Sequence, residues 1–294
     1  MDKIPGLGAL PSKKDIRTFT HPPTKAVYVQ KGGSKYLPTD IEDQSKVGIC
    51  TAISLTQNAR KVTGKKYSAD FQYLMQKKIY DGNWYEGSSI LHSLKVAKNI
   101  GLLPAEEWKH TTQEDRDGSY TNYIAKLKAI PDAEIARLSA IAAAYKIEAY
   151  ASVGVDRDTL AGAITESEGG VLVRFDVGKE WWTDKKGNST WDKDALQPLR
   201  APKVIVSGHA LIESNFDGGS FRVANMWGPE WADGGTAYHI LADYSPSEAW
   251  RVWYKAEEVP QEIEDAKKRR DTIIGKIMDY LQKIIALLGE LKSI

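Results

Sequence analysis

The sequence predicts an α+β chain in which a helical half precedes a strand half, and three observations carry that prediction. Between residues 50 and 144 apolar side chains recur at helical spacing; after about residue 145 short β-prone runs take over; and from Ile263 a heptad pattern runs to Ile294. Helices gathered before strands, rather than alternating with them, imply segregated layers with a cleft between two lobes. The length of 294 residues, with 42% hydrophobic and 27% charged, supports one large core or two modest ones.

Residues 1–36 are rich in Pro, Gly, Lys and Thr, and P-S, H-P-P and K-G-G-S break any periodicity, which predicts an extended arm wrapping the body. That composition also raises the expectation that the arm lies in or near the cleft and suppresses activity until removed. A first helix is expected from Cys50 to Lys61, where Ala52, Ile53, Leu55 and Ala59 share a face, and a second from Ala69 to Tyr80 behind a capping Ser68. A third is expected over Glu86 to Ile100, stopped by Gly101, and a fourth over the Ala-rich run Ala133 to Ala144. The strand half holds G-G-V-L-V-R-F-D-V, V-I-V-S-G-H-A-L-I-E-S, S-F-R-V-A-N-M-W, T-A-Y-H-I-L and W-R-V-W-Y, with Lys185 to Ala195 as an exposed loop insertion. The body is expected over 37–258, followed by a heptad helix over 259–294.

In that last helix Ile263, Ala266, Arg270, Ile273, Ile277, Tyr280, Ile284, Leu287, Leu291 and Ile294 keep one register. Ile274, Leu281 and Leu288 widen the stripe, which favours a homo-oligomer of three or more helices; a helix folded back on its own domain is the alternative.

Forty basic against 39 acidic side chains leave a formal charge of +1, so electrostatics suggest neither nucleic acid nor a membrane as partner. A single cysteine, Cys50, rules out a disulfide within the chain and suits a reducing compartment. The N-terminus lacks an apolar h-region, and no segment reaches the roughly 18 apolar residues of a spanning helix. The expected location is cytoplasmic. No Cys/His cluster has zinc-ligand spacing and no glycine run has a phosphate-loop context, so neither metal nor cofactor is expected.

Cys50 stands in D-Q-S-K-V-G-I-C-T-A, behind Gly48 and at the start of the first helix, where unpaired backbone N–H groups and the helix dipole stabilise a thiolate. A lone cysteine is more often a small buried hydrophobe, so the catalytic role depends on a partner. Of five histidines, His209 in V-S-G-H-A-L-I-E lies in the strand half with a glycine before it, and Asn225 follows 16 residues later in A-N-M-W-G-P-E-W. An Asn carbonyl accepts one imidazole N–H and fixes the ring, and Trp227 is placed to cover that bond. His239, the other strand-half histidine, reads as structural.

These blocks resemble the papain-like cysteine peptidases over roughly residues 35 to 255. D-Q-x-x-x-G-x-C matches with Gln44 six residues before Cys50; Ser207-Gly208-His209-Ala210 resembles the histidine strand; Asn225, Trp227, Gly228, Trp231 and the Gly234-Gly235 pair resemble N-x-W-G-x-x-W-x-x-x-G. The resemblance implies a two-lobed papain-like fold acting on peptide or protein substrates. Cys50 is then the nucleophile, His209 the acid/base and Asn225 its orienting partner. The Gln44 side chain and the Cys50 N–H make an oxyanion hole. It also implies that Gly87 contacts substrate through its backbone and that Trp231 forms an aromatic wall on the leaving-group side. Thr51 replaces the family's usual aromatic and Val47 its disulfide cysteine, as in bacterial and viral intracellular branches that read G-x-C-T-A. The expected function is a thiol endopeptidase; the alternatives are a catalytically silent, peptide-binding oligomeric module of the same fold, or a cell-wall peptide hydrolase or transpeptidase.

Overall fold

A computed structural model describes residues 6–13, 18–20, 40–184, 186–255, 259 and 261–291, the side chains of 262, 266, 267 and 286–291 excepted. The expected arm–body boundary at 36/37 and the expected last residue of the body, 258, lie outside them.

Two short arm strands, β1 (Ala9–Leu10) and β2 (Phe19–Thr20), precede α1 (Cys50–Thr63). Helix α1 stops at Gly64, whose φ of 71° is the left-handed conformation that glycine adopts without strain. Helix α2 (Ala69–Met75) starts at Ser68, whose side chain accepts the Phe71 N–H at 3.1 Å, and it continues as a π-helical turn over Gln76–Asp81. The expected third helix is shorter at its start: Ser88–Ser89 forms β3, and α3 runs Ile90–Asn99 from the Ser89 cap.

Helices α4 (Gln113–Asp117) and α5 (Tyr120–Lys128) were not expected, and α6 (Asp132–Ala142) fills the Ala-rich run. A buried pair joins three of these helices. Arg116 donates to both carboxylate oxygens of Asp70 at 3.0 and 2.9 Å, and the Tyr123 hydroxyl donates to the same carboxylate at 2.7 Å. Removing one partner of such a pair leaves an uncompensated buried charge, at about 3–5 kcal/mol.

The second half holds β4 (Ala149–Val153), α7 (Arg157–Glu166), β5 (Val171–Val177), α8 (Lys193–Leu196), β6 (Ser207–Phe216), β7 (Phe221–Ala224), β8 (Thr236–His239) and β9 (Glu248–Trp253). These strands and β2 form one sheet in the order β2-β4-β9-β5-β6-β7-β8. Strand β5 shows how the sheet divides the core: Leu172 joins the cluster shared with the helices, while Val171, Val173, Phe175 and Val177 fill a second cluster on the opposite face. Helix α1 packs on β6 at the junction, with Ile53 and Leu55 fully buried. Truncating either to Ala is expected to cost about 2–5 kcal/mol.

Helix α9 (Gln261–Leu291) ends the described chain. Its Ile263 is buried, whereas Ile273, Ile277, Tyr280, Ile284 and Ile285 stand more than half exposed, up to 68% at Ile285. Among the described residues no helix is long and apolar enough to cross a membrane.

Candidate active site

Cys50 is the first residue of α1, and no acidic residue sits in that first turn to oppose the helix dipole. The thiol is completely buried at 0% exposure. Burial pushes its pKa up to about 11, against hydrogen bonds from the backbone N–H groups of Ala210, Thr51, Gly8 and Cys50 itself. Ala210 follows His209 in β6, so the helix N-terminus of one lobe meets the histidine strand of the other.

His209 is also at 0% exposure, and its Nε2 lies 2.6 Å from the Asn225 side-chain oxygen. Burial pushes the imidazole down to about 4, only partly offset by the Asn225 bond. Nδ1 is buried without a hydrogen-bond partner. Burial therefore favours a neutral thiol and a neutral imidazole, unbonded to each other, over the thiolate that the helix N-terminus was expected to stabilise. Desolvation with no counter-charge is the cause. The Trp227 ring stacks on His209 at 4.7 Å and 28°, and its own burial makes it a lid over the His–Asn bond.

The Gln44 loop is held from two sides. Asp43 bridges Trp227, the Gln44 N–H donates to the Met226 carbonyl at 2.9 Å, and the Gly228 N–H reaches the Glu42 carbonyl at 3.3 Å. From the other side the Gln113 amide donates to the Asp43 carbonyl at 3.0 Å and to Ser45 Oγ at 2.9 Å. Helix α4, missed in the sequence, is thus the support of this loop. Its signal was a capping box, Thr112 with Asp115.

The cleft between the lobes is filled by the arm. Gln44 Nε2 donates to the Gly6 carbonyl, and the Gly6 N–H donates to Ser45 at 2.7 Å. Gly8 crosses between the lobes: its N–H reaches the Gly208 carbonyl at 3.2 Å while its carbonyl accepts from Ser88 at 2.8 Å. Beyond it β1 runs parallel to β3, Arg174 Nε donates to the Ala9 carbonyl at 2.8 Å, and the Ser12 N–H reaches Glu248 at 3.2 Å. Leu7 packs on the cluster that contains Trp181, Trp227 and Trp231.

Ser88 makes the backbone pairing to the arm, while the Gly87 N–H donates to the Tyr73 hydroxyl at 3.1 Å and the Gly87 carbonyl accepts from the buried Lys77 ammonium. Lys77 sits in the π-helical turn, paired to Asp81 at 2.8 Å, and neither appeared among the candidate residues. Gly87 contributes bare surface instead, since a Cβ there would meet the Gly8 carbonyl oxygen at 2.3 Å. Trp231 lies at 0% exposure, its indole N–H on the Trp181 carbonyl at 3.1 Å, and Trp181 is a partner that the sequence reading did not single out. His239 is structural, with Nδ1 2.8 Å from the Tyr244 carbonyl and Nε2 2.5 Å from Glu213.

No family model matches the sequence, and no curated protein matches it. Among solved structures the fold is similar to that of xylellain, a cysteine protease from Xylella fastidiosa, with a TM-score of 0.66 and 23% identity over 87% of this chain and 98% of that one. It is also similar to procathepsin B S9 from Trypanosoma congolense, with a TM-score of 0.58 and 13% identity over 85% of this chain and 87% of that one. At these identities the likeness is one of fold, and the chain has the papain-like α+β fold.

Proposed function

We propose that this chain is a thiol endopeptidase acting through Cys50, His209, Asn225 and Gln44, with its own N-terminal arm seated in the cleft in the form described. The observation that carries this reading is convergence: the sulfur, the His209–Asn225 bond and the Gln44 amide surround a groove that already holds a peptide main chain. Once the arm leaves, water and substrate dipoles favour the thiolate–imidazolium ionic pair. The Cys50 sulfur attacks a peptide carbonyl, and the oxyanion rests on Gln44 Nε2 and the Cys50 N–H, a preorganised site in low dielectric. Protonated His209 gives its proton to the departing amine; His209 then activates the water that breaks the thioester. Asn225 holds the ring in place through both steps. Trp227 and Trp231 keep water from that bond and wall the groove, and Gly87 with Ser88 binds the substrate main chain.

The test is cleavage of a broad peptide library by a chain whose arm has been dislodged. Cys50→Ala should abolish cleavage, and Gln44→Ala should lower kcat by about 10²–10³ without changing the fold. No Cys50-dependent cleavage would leave the peptide-binding module as the better reading. Release of amines from peptidoglycan would instead select the cell-wall hydrolase.

The exposed apolar stripe of α9 supports a homo-oligomer in which a second copy covers residues 273–285. On this division the peptidase body spans 37–258, the arm 1–36 and the oligomerising helix 259–294.

A further inference from the structure

The arm has a second purchase on the body. Behind the cleft segment, β2 pairs in parallel with Ala151–Ser152 at the sheet edge, and Ser152 Oγ donates to the Phe19 carbonyl at 3.2 Å. The sheet makes only part of the seat of the Phe19 ring. Ile263, from the first turns of α9, joins Ala149, Ala151 and Trp253 in a small buried cluster on which Phe19 packs. One side of the ring faces the Arg270 guanidinium, 5.5 Å from its centroid. A cleft behind this contact is lined by Phe19, Glu148, Ile263, Glu264 and Arg270, so the two ends of the chain meet here.

We propose that α9 sets how firmly the arm plugs the cleft: by completing the seat of Phe19 it holds the arm's rear anchor, and displacing α9 loosens the plug without touching the cleft. This regulation rests on reading the cleft as a thiol peptidase site occluded by the arm. The size of the effect follows from tether length. With Phe19 seated, the anchor is nine positions beyond Leu10; with Phe19 loose, the next described buried anchor is Ile41, 31 positions beyond Leu10. Effective concentration falls as about the −3/2 power of connecting length, so the plug should open about sixfold more often. A second copy of the chain that drew α9 away through its apolar stripe would reach Cys50 by this route.

Alkylation by iodoacetamide at pH 7.5 reads the plug directly, because Cys50 is the only cysteine in the sequence. In the full chain Gly8→Val should react faster, since an added Cβ there meets the Gly48 oxygen and the Gly87 Cα, both at 2.7 Å, and cannot seat. Phe19→Ala and Ile263→Ala should each accelerate alkylation about sixfold, and the double variant should be no faster than either single, because both act on one seat. If Gly8→Val is fast while Phe19→Ala and Ile263→Ala react at the unsubstituted rate, the α9 clamp is overturned and the plug stands. Effects of Phe19→Ala and Ile263→Ala that multiply would also overturn the clamp. If Gly8→Val is no faster, the occluded-site reading falls and the clamp with it.

Discussion

The two ends of the chain meet solvent in opposite ways. Gly6 to Ala9 of the N-terminal arm, a sequence short of apolar side chains and broken by Pro and Gly, lie between the lobes; the C-terminal helix, with an isoleucine stripe, stands exposed from Ile273 to Ile285. Hydrophobicity does not decide which end is covered. The arm is held chiefly by main-chain hydrogen bonds, which need close approach more than apolar area, and its glycines allow that approach: a Cβ at Gly6 would meet the Val47 carbonyl at 2.4 Å. The helix offers area, but among its described side chains those from 271 to 285 all stand exposed rather than packed on the body.

The sharpest way to break this contrast is to give the arm one side chain. Gly8→Val should lose about 1–3 kcal/mol of seating, raising Cys50 alkylation some ten- to a hundredfold. The inflection of its pH profile should move from about 11 to below the ordinary thiol value of 9.0. An unchanged profile would mean the arm does not set the thiol's environment.

A smaller effect should follow from pH alone. The covered pair keeps its one proton on the Cys50 sulfur, held up to about 11, while the uncovered ionic pair carries the same proton on His209, so opening neither takes up nor releases a proton near neutrality. Seating should therefore stay flat between pH 7.5 and 5.5 and weaken only above about pH 9, where the uncovered pair loses the proton that the covered thiol keeps. Hydrogen exchange at Gly8 and Leu10, corrected for the intrinsic rate, measures this; protection that falls about tenfold from pH 7.5 to 5.5 would mean that no ionic pair forms on opening.

The smallest effect is expected at the other end. Ile277→Lys with Ile284→Lys should leave the monomer's unfolding free energy within about 0.5 kcal/mol, because both side chains are exposed. Sedimentation should nevertheless show fewer subunits. An unchanged mass would remove the homo-oligomer.

What the sequence made legible was local. Cys50 behind Gly48, His209 behind Gly208 and Asn225 before Trp227 each sit in a short block whose internal spacing carries the family resemblance, and that brought them forward as candidates. Ser68 and Gly101 announced helix ends through equally local backbone requirements. Helix α7 was hidden because Gly162 interrupts a short apolar run in strand-rich surroundings, and α5 because the β-branched Thr121 and the turn-prone Asn122 follow its Ser119 cap. Lys77 and Arg174 were invisible for a different reason: a charged side chain reads as surface until a fold wraps a carbonyl and a carboxylate around it. The seat of the arm could not be read because main-chain hydrogen bonds leave little mark on composition.

Gly8 has a consequence for whatever follows it into the groove. Its N–H and carbonyl bridge Gly208 on one side and Ser88 on the other, so the gap is one extended strand across, with sheet-like spacing of about 4.8 Å to each wall. A helix, about 10 Å wide with side chains, cannot enter. On the proposed function, any protein cut here must first surrender a stretch of its fold, and the local unfolding of the target, as much as its residue types, will decide which bonds are reached.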